Sequence, residues 1–176
     1  MSLSAQELYD GIGASERFAG RMHWASGVPF AGTPGHLYVF RTRRRITSAN
    51  LAAITHRSGD VEVCLMRMDG VPMVYIGSRG IAVATVFVPP TGIGIDRFEW
   101  VAHTHPLEME SAEEGVARGA TRADRDALEA IHSRWGQTES TVIVCRRGRV
   151  ERETTFSIER DIRTPPGTRR LWAPGR

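Results

Sequence analysis

Hydrophobic and polar positions alternate along several short runs of this chain and recur with helical period along two others. His36 to Thr42 (HLYVFRT) alternates and is rich in aromatic and β-branched residues, which predicts a strand. Ser48 is placed to cap a helix with Leu51, Ile54 and Thr55 on one face, and the run from His56 through Gly59 to Asp60 ends it. Val61 to Met68 and Val71 to Ile76 flank Asp69-Gly70, the signature of a hairpin. After a turn at Ser78-Arg79-Gly80, Ile81 to Val88 is an almost continuous apolar strand, which predicts burial on both faces. Pro89-Pro90 and the glycines up to Gly94 form a loop. Arg97 to His105 is the next strand, stopped by Pro106.

Leu107 to Ala120 is an acidic, glycine-containing loop, and structureless loops of that length in compact domains are usually functional or disordered. Thr121 opens a helix to Trp135, with Ala123, Leu128, Ile131 and Trp135 as its inner stripe. Ser140 to Arg146 and Arg149 to Phe156 pair about a glycine-containing turn. The expected architecture is an α/β or α+β sandwich: a central mixed sheet of five to seven strands, flanked by helices before Glu62 and after Thr121.

Residues 1–35 read as an irregular N-terminal extension with a short helix around Ala5 to Tyr9. Residues 36–160 form the domain, and 161–176 a Pro- and Arg-rich tail, extended or loosely docked. At 176 residues the chain holds one domain with a sizeable core rather than two. No apolar run reaches membrane-spanning length, and the N-terminus does not read as a secretory signal. Cys64 and Cys145 each lie in an apolar run and are expected as buried thiols; a reducing cytoplasm is the expected compartment.

The net charge is +3, and every one of the 23 basic residues is Arg. A GC-rich genome accounts for that usage. A lysine-free surface also escapes modification on side-chain amines, which suits a protein working among lysine-conjugating enzymes. The Arg residues, including the short run Arg43 to Arg45, are spread out and interleaved with acids, so a phosphate-tracking stripe is not evident and nucleic acid is not an expected partner.

The chemistry concentrates in His103-Thr-His105-Pro106 and, beyond the loop, Thr121-x-x-Asp124. Alternate residues of a strand share a face, so both imidazoles project together, with Cα atoms ~6.6 Å apart at a rise of ~3.3 Å per residue. That spacing suits one zinc ion, although the pair alone reads more readily as a polar strand end facing water. Thr121 and Asp124 have capping-box spacing, and the helix start would present Asp124 as a third ligand. Three protein ligands leave a position open, as in catalytic rather than structural zinc sites.

A hydrolytic site also needs a proton acceptor. Glu99 falls on the face of His103 by simple alternation, but ~13 Å away along the strand. Glu108 and Glu110 belong to the loop. Glu62 lies on another strand, on the apolar face of Cys64, Met66 and Met68, where a carboxylate is either paired or functional.

Glu62 after a helix, then HxHP, then an [S/T]xxD and a strand from Ser140, resembles the JAMM (MPN+, JAB) zinc metallopeptidases across about residues 46 to 146. The resemblance implies a JAMM/MPN-like fold, with zinc on His103, His105 and Asp124. It implies Glu62 as general base and then acid, and the Thr121 hydroxyl in the place of the family's oxyanion-binding serine. The longer stretch between the two motifs leaves Asp126, Glu113 and Glu114 as competitors for the third ligand. The implied activity is hydrolysis of a peptide or isopeptide bond after the C-terminal tail of a ubiquitin-like protein. Such a tail would add to the sheet edge, with the 107–120 loop as a clamp. A hydrolytic toxin module of a bacterial effector and a non-catalytic MPN-type interaction domain are the alternatives, with an Arg-rich nucleic-acid-binding protein, marked by strongly salt-dependent binding, as a third. A nucleobase deaminase is disfavoured, since its H-x-E and P-C-x-x-C elements are missing.

Overall fold

The computed structural model describes residues 36–39, 46–77, 95–107, 119–159, 161–164 and 170–172. The expected helix around Ala5, the run Arg43 to Arg45, the strand Ile81 to Val88 and all but the ends of the 107–120 loop lie outside them.

The chain is an α+β protein built on a mixed sheet with a helix on each face. In chain order the elements are β1 (His36–Val39), β2 (Ile46–Thr47), α1 (Ser48–Arg57), β3 (Val63–Met68), β4 (Val71–Ile76), β5 (Phe98–Pro106), α2 (Arg122–Trp135), β6 (Glu139–Arg146), β7 (Arg149–Ser157), β8 (Asp161–Thr164) and β9 (Arg170–Trp172). The main sheet runs β1-β4-β3-β5-β6-β7-β8, and β2 pairs with β9 separately. All neighbours are antiparallel except β5 and β6, whose parallel pairing is bridged by α2. The sheet thus continues past residue 160 through β8, and the tail returns to the core region as β9 beside β2.

Local chemistry explains the boundaries. Asp69 and Gly70 both take positive φ, as a two-residue hairpin turn requires, and Asp69 Oδ1 also accepts the main-chain N–H groups of Asp96 and Arg97. The cap of α1 is Thr47 rather than Ser48: Thr47 accepts from Asn50 N, and Asn50 Oδ1 takes Thr47 N at 2.8 Å. Ser48 is already helical, and Leu51, Ile54 and Thr55 are buried as expected. Helix α2 is capped by Thr121 and stops at left-handed Gly136. Its buried positions are Asp124, Ala127, Leu128 and Ile131; Ala123 and Trp135, expected inside, are only half-buried.

Two apolar layers flank the sheet. On one face α1 gives Leu51 and Ile54 to Val63, Leu65, Val74, Ala102 and Ile143. On the other, α2 gives Ala127, Leu128 and Ile131 to Cys64, Met66, Phe98, Trp100, Val142 and Phe156. Strand β5 serves both faces through a break in its alternation. Leu65 pairs with Ala102 but Met66 pairs with Trp100, so Val101 is an extra residue, a β-bulge. Gln137 holds this point: its Oε1 accepts Trp100 N and its Nε2 donates to Trp100 O, both at 2.7 Å.

The bulge corrects the placement of Glu99. Simple alternation would put it on the face of His103, but His103 pairs with Cys64 whereas Glu99 pairs with Arg67, on the opposite side of the sheet. Arg67 and Glu99 form a half-exposed ion pair. Phe98 and Trp100 take the side of the histidines instead.

Candidate metal centre

His103 and His105 project from the last turn of the pleat in β5 toward α2, and both are buried. Their Nε2 atoms lie 2.9 Å apart. Asp124, in the first turn of α2, completes the group: its Oδ1 is 3.0 Å from His103 Nε2 and its Oδ2 is 3.5 Å from His105 Nε2. Glu62 stands just ahead of β3, not within it, and its Oε1 is 3.7 Å from His105 Nε2. Of these side chains only that of Glu62 is open to solvent to a notable degree, at 21%.

The helix start aims Asp124. The main-chain N–H of Thr121 donates to Asp124 Oδ2 at 2.6 Å and its hydroxyl donates to the same oxygen at 2.9 Å, while Asp124 N donates back to Thr121 Oγ1. One carboxylate oxygen is held by the cap and the other faces His103. Aromatic rings wall the histidine pair: Trp100 lies 4.7 Å from the His103 ring centroid, and Phe156 meets His103 edge-on at 6.1 Å.

The electrostatics of the group are those of a crowded donor set. Burial opposes a charge on His103, but Asp124 outweighs it and raises the pKa of the ring above its ordinary value. Burial, reinforced by the charge on His103, lowers His105 to about 4. Burial also works against ionised Asp124, yet His103, then His105 and the Thr121 N–H hold its carboxyl well below the usual carboxylate range. Burial pushes the neighbouring Cys64 thiol up, against a lowering hydrogen bond from Trp100 and with a further rise from Glu62 and Asp124.

Donor atoms of His103, His105 and Asp124 all fall within 4.8 Å of one another, the group among the described residues that could hold a metal ion. Two donors on one tetrahedral zinc, each at ~2.0–2.1 Å, lie ~3.3 Å apart. The 2.9 Å between the two Nε2 atoms and the 3.0 Å from His103 Nε2 to Asp124 Oδ1 lie near that edge, and one donor atom from each residue falls within 4.8 Å of the others. Two imidazoles and one carboxylate match the nitrogen- and oxygen-rich sets that zinc accepts. The residues therefore fit a divalent metal ion.

Comparison with protein-family profiles, with characterised proteins and with solved structures finds no match to the chain.

The five residues singled out from the sequence, Glu62, His103, His105, Thr121 and Asp124, converge on one place. Of the competitors for the third ligand, Asp126 is exposed and pairs with Arg122, away from the histidines; Glu113 and Glu114 lie outside the described residues. Sequence reasoning missed Trp100 and Phe156. For Trp100 a signal existed: apolar residues at 98 and 100 followed by histidines at 103 and 105 shift the alternation by one, which betrays a bulge. No described helix is long and apolar enough to cross a membrane.

Proposed function

We propose that the protein is a zinc-dependent metallopeptidase of the JAMM kind, hydrolysing a peptide or isopeptide bond. The observation that carries the reading is the placement of Glu62, a partly exposed carboxylate 3.7 Å from the edge of a buried His-His-Asp donor set. His103, His105 and Asp124 would hold the ion, which supplies Lewis acidity, lowering the pKa of water and polarising a carbonyl.

The remaining work falls to the chain. Glu62 takes a proton from the attacking water and returns it to the leaving amine, and its access to solvent lets it meet both. Trp100 and Phe156 back the ligands with apolar surface, which strengthens charge interactions at the site. Thr121 holds Asp124 in the resting arrangement. A role at an oxyanion requires its hydroxyl to leave Oδ2, and its main-chain N–H then keeps the carboxylate in place.

The resemblance supports a ubiquitin-like protein or its conjugates as substrate, with the extended tail of that protein entering at the scissile bond. The absence of lysine agrees with work beside lysine-conjugating enzymes. The test is cleavage of a linear fusion carrying a ubiquitin-like protein. The reading expects cleavage by the zinc-loaded protein, none after chelation and none by Glu62→Gln. Activity that survives chelation, or survives in Glu62→Gln, overturns it.

A further inference from the structure

The residue between the two histidines is tied to the residue they face. Main-chain pairing of β3 with β5 ends at Cys64 and His103. At the next position the N–H of Val63 donates to the hydroxyl of Thr104, at 2.9 Å. That hydroxyl is buried, lies 2.6 Å from the hydroxyl of Thr55 on α1, and also reaches Val63 O at 3.4 Å. The N–H of Val63 belongs to the peptide unit whose carbonyl is that of Glu62. The carbonyl is held from the other side by Gly77 N, at 2.8 Å. Both ends of the Glu62–Val63 peptide are therefore fixed, one by the end of β4 and one by a side chain standing between His103 and His105.

We propose that Thr104 is a positioning residue: its hydroxyl takes the hydrogen bond of Val63 and so sets Glu62 at its distance from the ligand pair. The side chain points to the α1 face, away from the ion site, so it acts on Glu62 only through the backbone. Thr55 holds the hydroxyl from α1. The placement of Glu62 does not depend on any activity; its catalytic consequence rests on the reading of Glu62 as proton carrier.

The test compares the unmodified protein with Thr104→Val and Thr104→Ser. Valine keeps the shape but leaves the Val63 N–H without its acceptor; serine keeps the hydroxyl. Amide hydrogen exchange, read in the metal-free protein, should quicken at Val63 by at least about tenfold in Thr104→Val, with Leu65 and Val142 unchanged and Thr104→Ser near the unmodified rate. Crystal structures should show the Glu62–His105 contact opened in Thr104→Val and kept in Thr104→Ser. In the cobalt-loaded protein, the visible spectrum of Thr104→Val should move toward that of Glu62→Gln, and Thr104→Ser should match the parent. Unchanged Val63 exchange in Thr104→Val, exchange quickened across the whole sheet, or a contact kept without the hydroxyl overturns the proposal. If Thr104→Val does not fold, Thr55→Val, which frees the hydroxyl from α1, must quicken exchange at Val63 or the proposal fails. Failure to bind cobalt would count against the metal reading alone, since exchange and the Glu62–His105 distance are read without an ion.

Discussion

Asp124 divides its carboxylate between two tasks: Oδ1 stands 3.0 Å from His103 Nε2, while Oδ2 takes the N–H and the hydroxyl of Thr121. The motif that starts helix α2 thus also orients the carboxylate that faces the histidine pair, the proposed third ligand. Capping and ligation, which look like rival explanations of Thr121-x-x-Asp124, are one arrangement.

Removing the hydroxyl should therefore show in two measurements at once. Thr121→Ala should weaken zinc binding about 10- to 100-fold, as loss of a ligand-orienting partner does. It should also cost about 1 kcal/mol of stability through the lost cap. Thr121→Ser should restore both. Chelator competition and urea unfolding of the metal-free protein measure the two effects. A loss of stability with zinc affinity unchanged would separate the cap from the ligand.

Zinc binding should release a proton at pH values below the raised pKa of His103, because ligating imidazoles must be neutral. His103, held above its ordinary value by Asp124, is the group that gives up that proton; His105, lowered to about 4, is already neutral above that pH. Affinity should rise as pH climbs through the raised pKa of His103 and then level off. In the metal-free protein the same shift has the opposite sense: the stability His103 lends is present below 6.5 and is lost as pH rises through its folded value. His105 works the other way, costing stability as pH falls from 6.5 to about 4. Calorimetry in buffers of differing ionisation heat counts the protons, and a count of zero below pH 6.5 contradicts the assignment.

The bulge at Val101 gives a prediction about the fold. Gln137 satisfies both the N–H and the carbonyl of Trp100. Gln137→Ala should cost about 1–3 kcal/mol, because buried main-chain groups at the bulge lose a partner. Ser140 also donates to Trp100 O, which softens the loss on that side. Deleting Val101 removes the extra residue and leaves Trp100 opposite Met66, Ala102 opposite Leu65 and His103 opposite Cys64 in regular alternation, so the histidines should stay on the α2 face and zinc binding should survive. A Val101 deletion that lost zinc binding would mean the pairing slips by one residue instead.

Much of this was legible in the sequence because it is local. Alternation marked β3, β4, β6 and β7, Asp69-Gly70 marked a hairpin, and Thr121 with Asp124 marked a helix start. The two histidines advertise themselves by spacing alone. What was not legible depends on partners distant in the chain. The shifted alternation of residues 98, 100, 103 and 105 hints at the bulge in β5, but its cause, Gln137 taking over the hydrogen bonds of Trp100, lies outside β5. Thr47 displaced Ser48 as cap because Asn50 answers it with a reciprocal bond. Glu62 lies ahead of β3, whose pairing with β4 begins at Val63 and Ile76, and the Val63 N–H goes to the Thr104 side chain rather than to the β5 backbone.

The central claim is that His103, His105 and Asp124 hold a zinc ion that Glu62 serves without ligating. Metal content of the purified, zinc-equilibrated protein tests it most directly, measured for the unmodified chain, His103→Ala and Glu62→Gln. The account predicts one equivalent in the unmodified chain and in Glu62→Gln, and almost none in His103→Ala. No zinc in the unmodified chain, or an undiminished equivalent in His103→Ala, would contradict it.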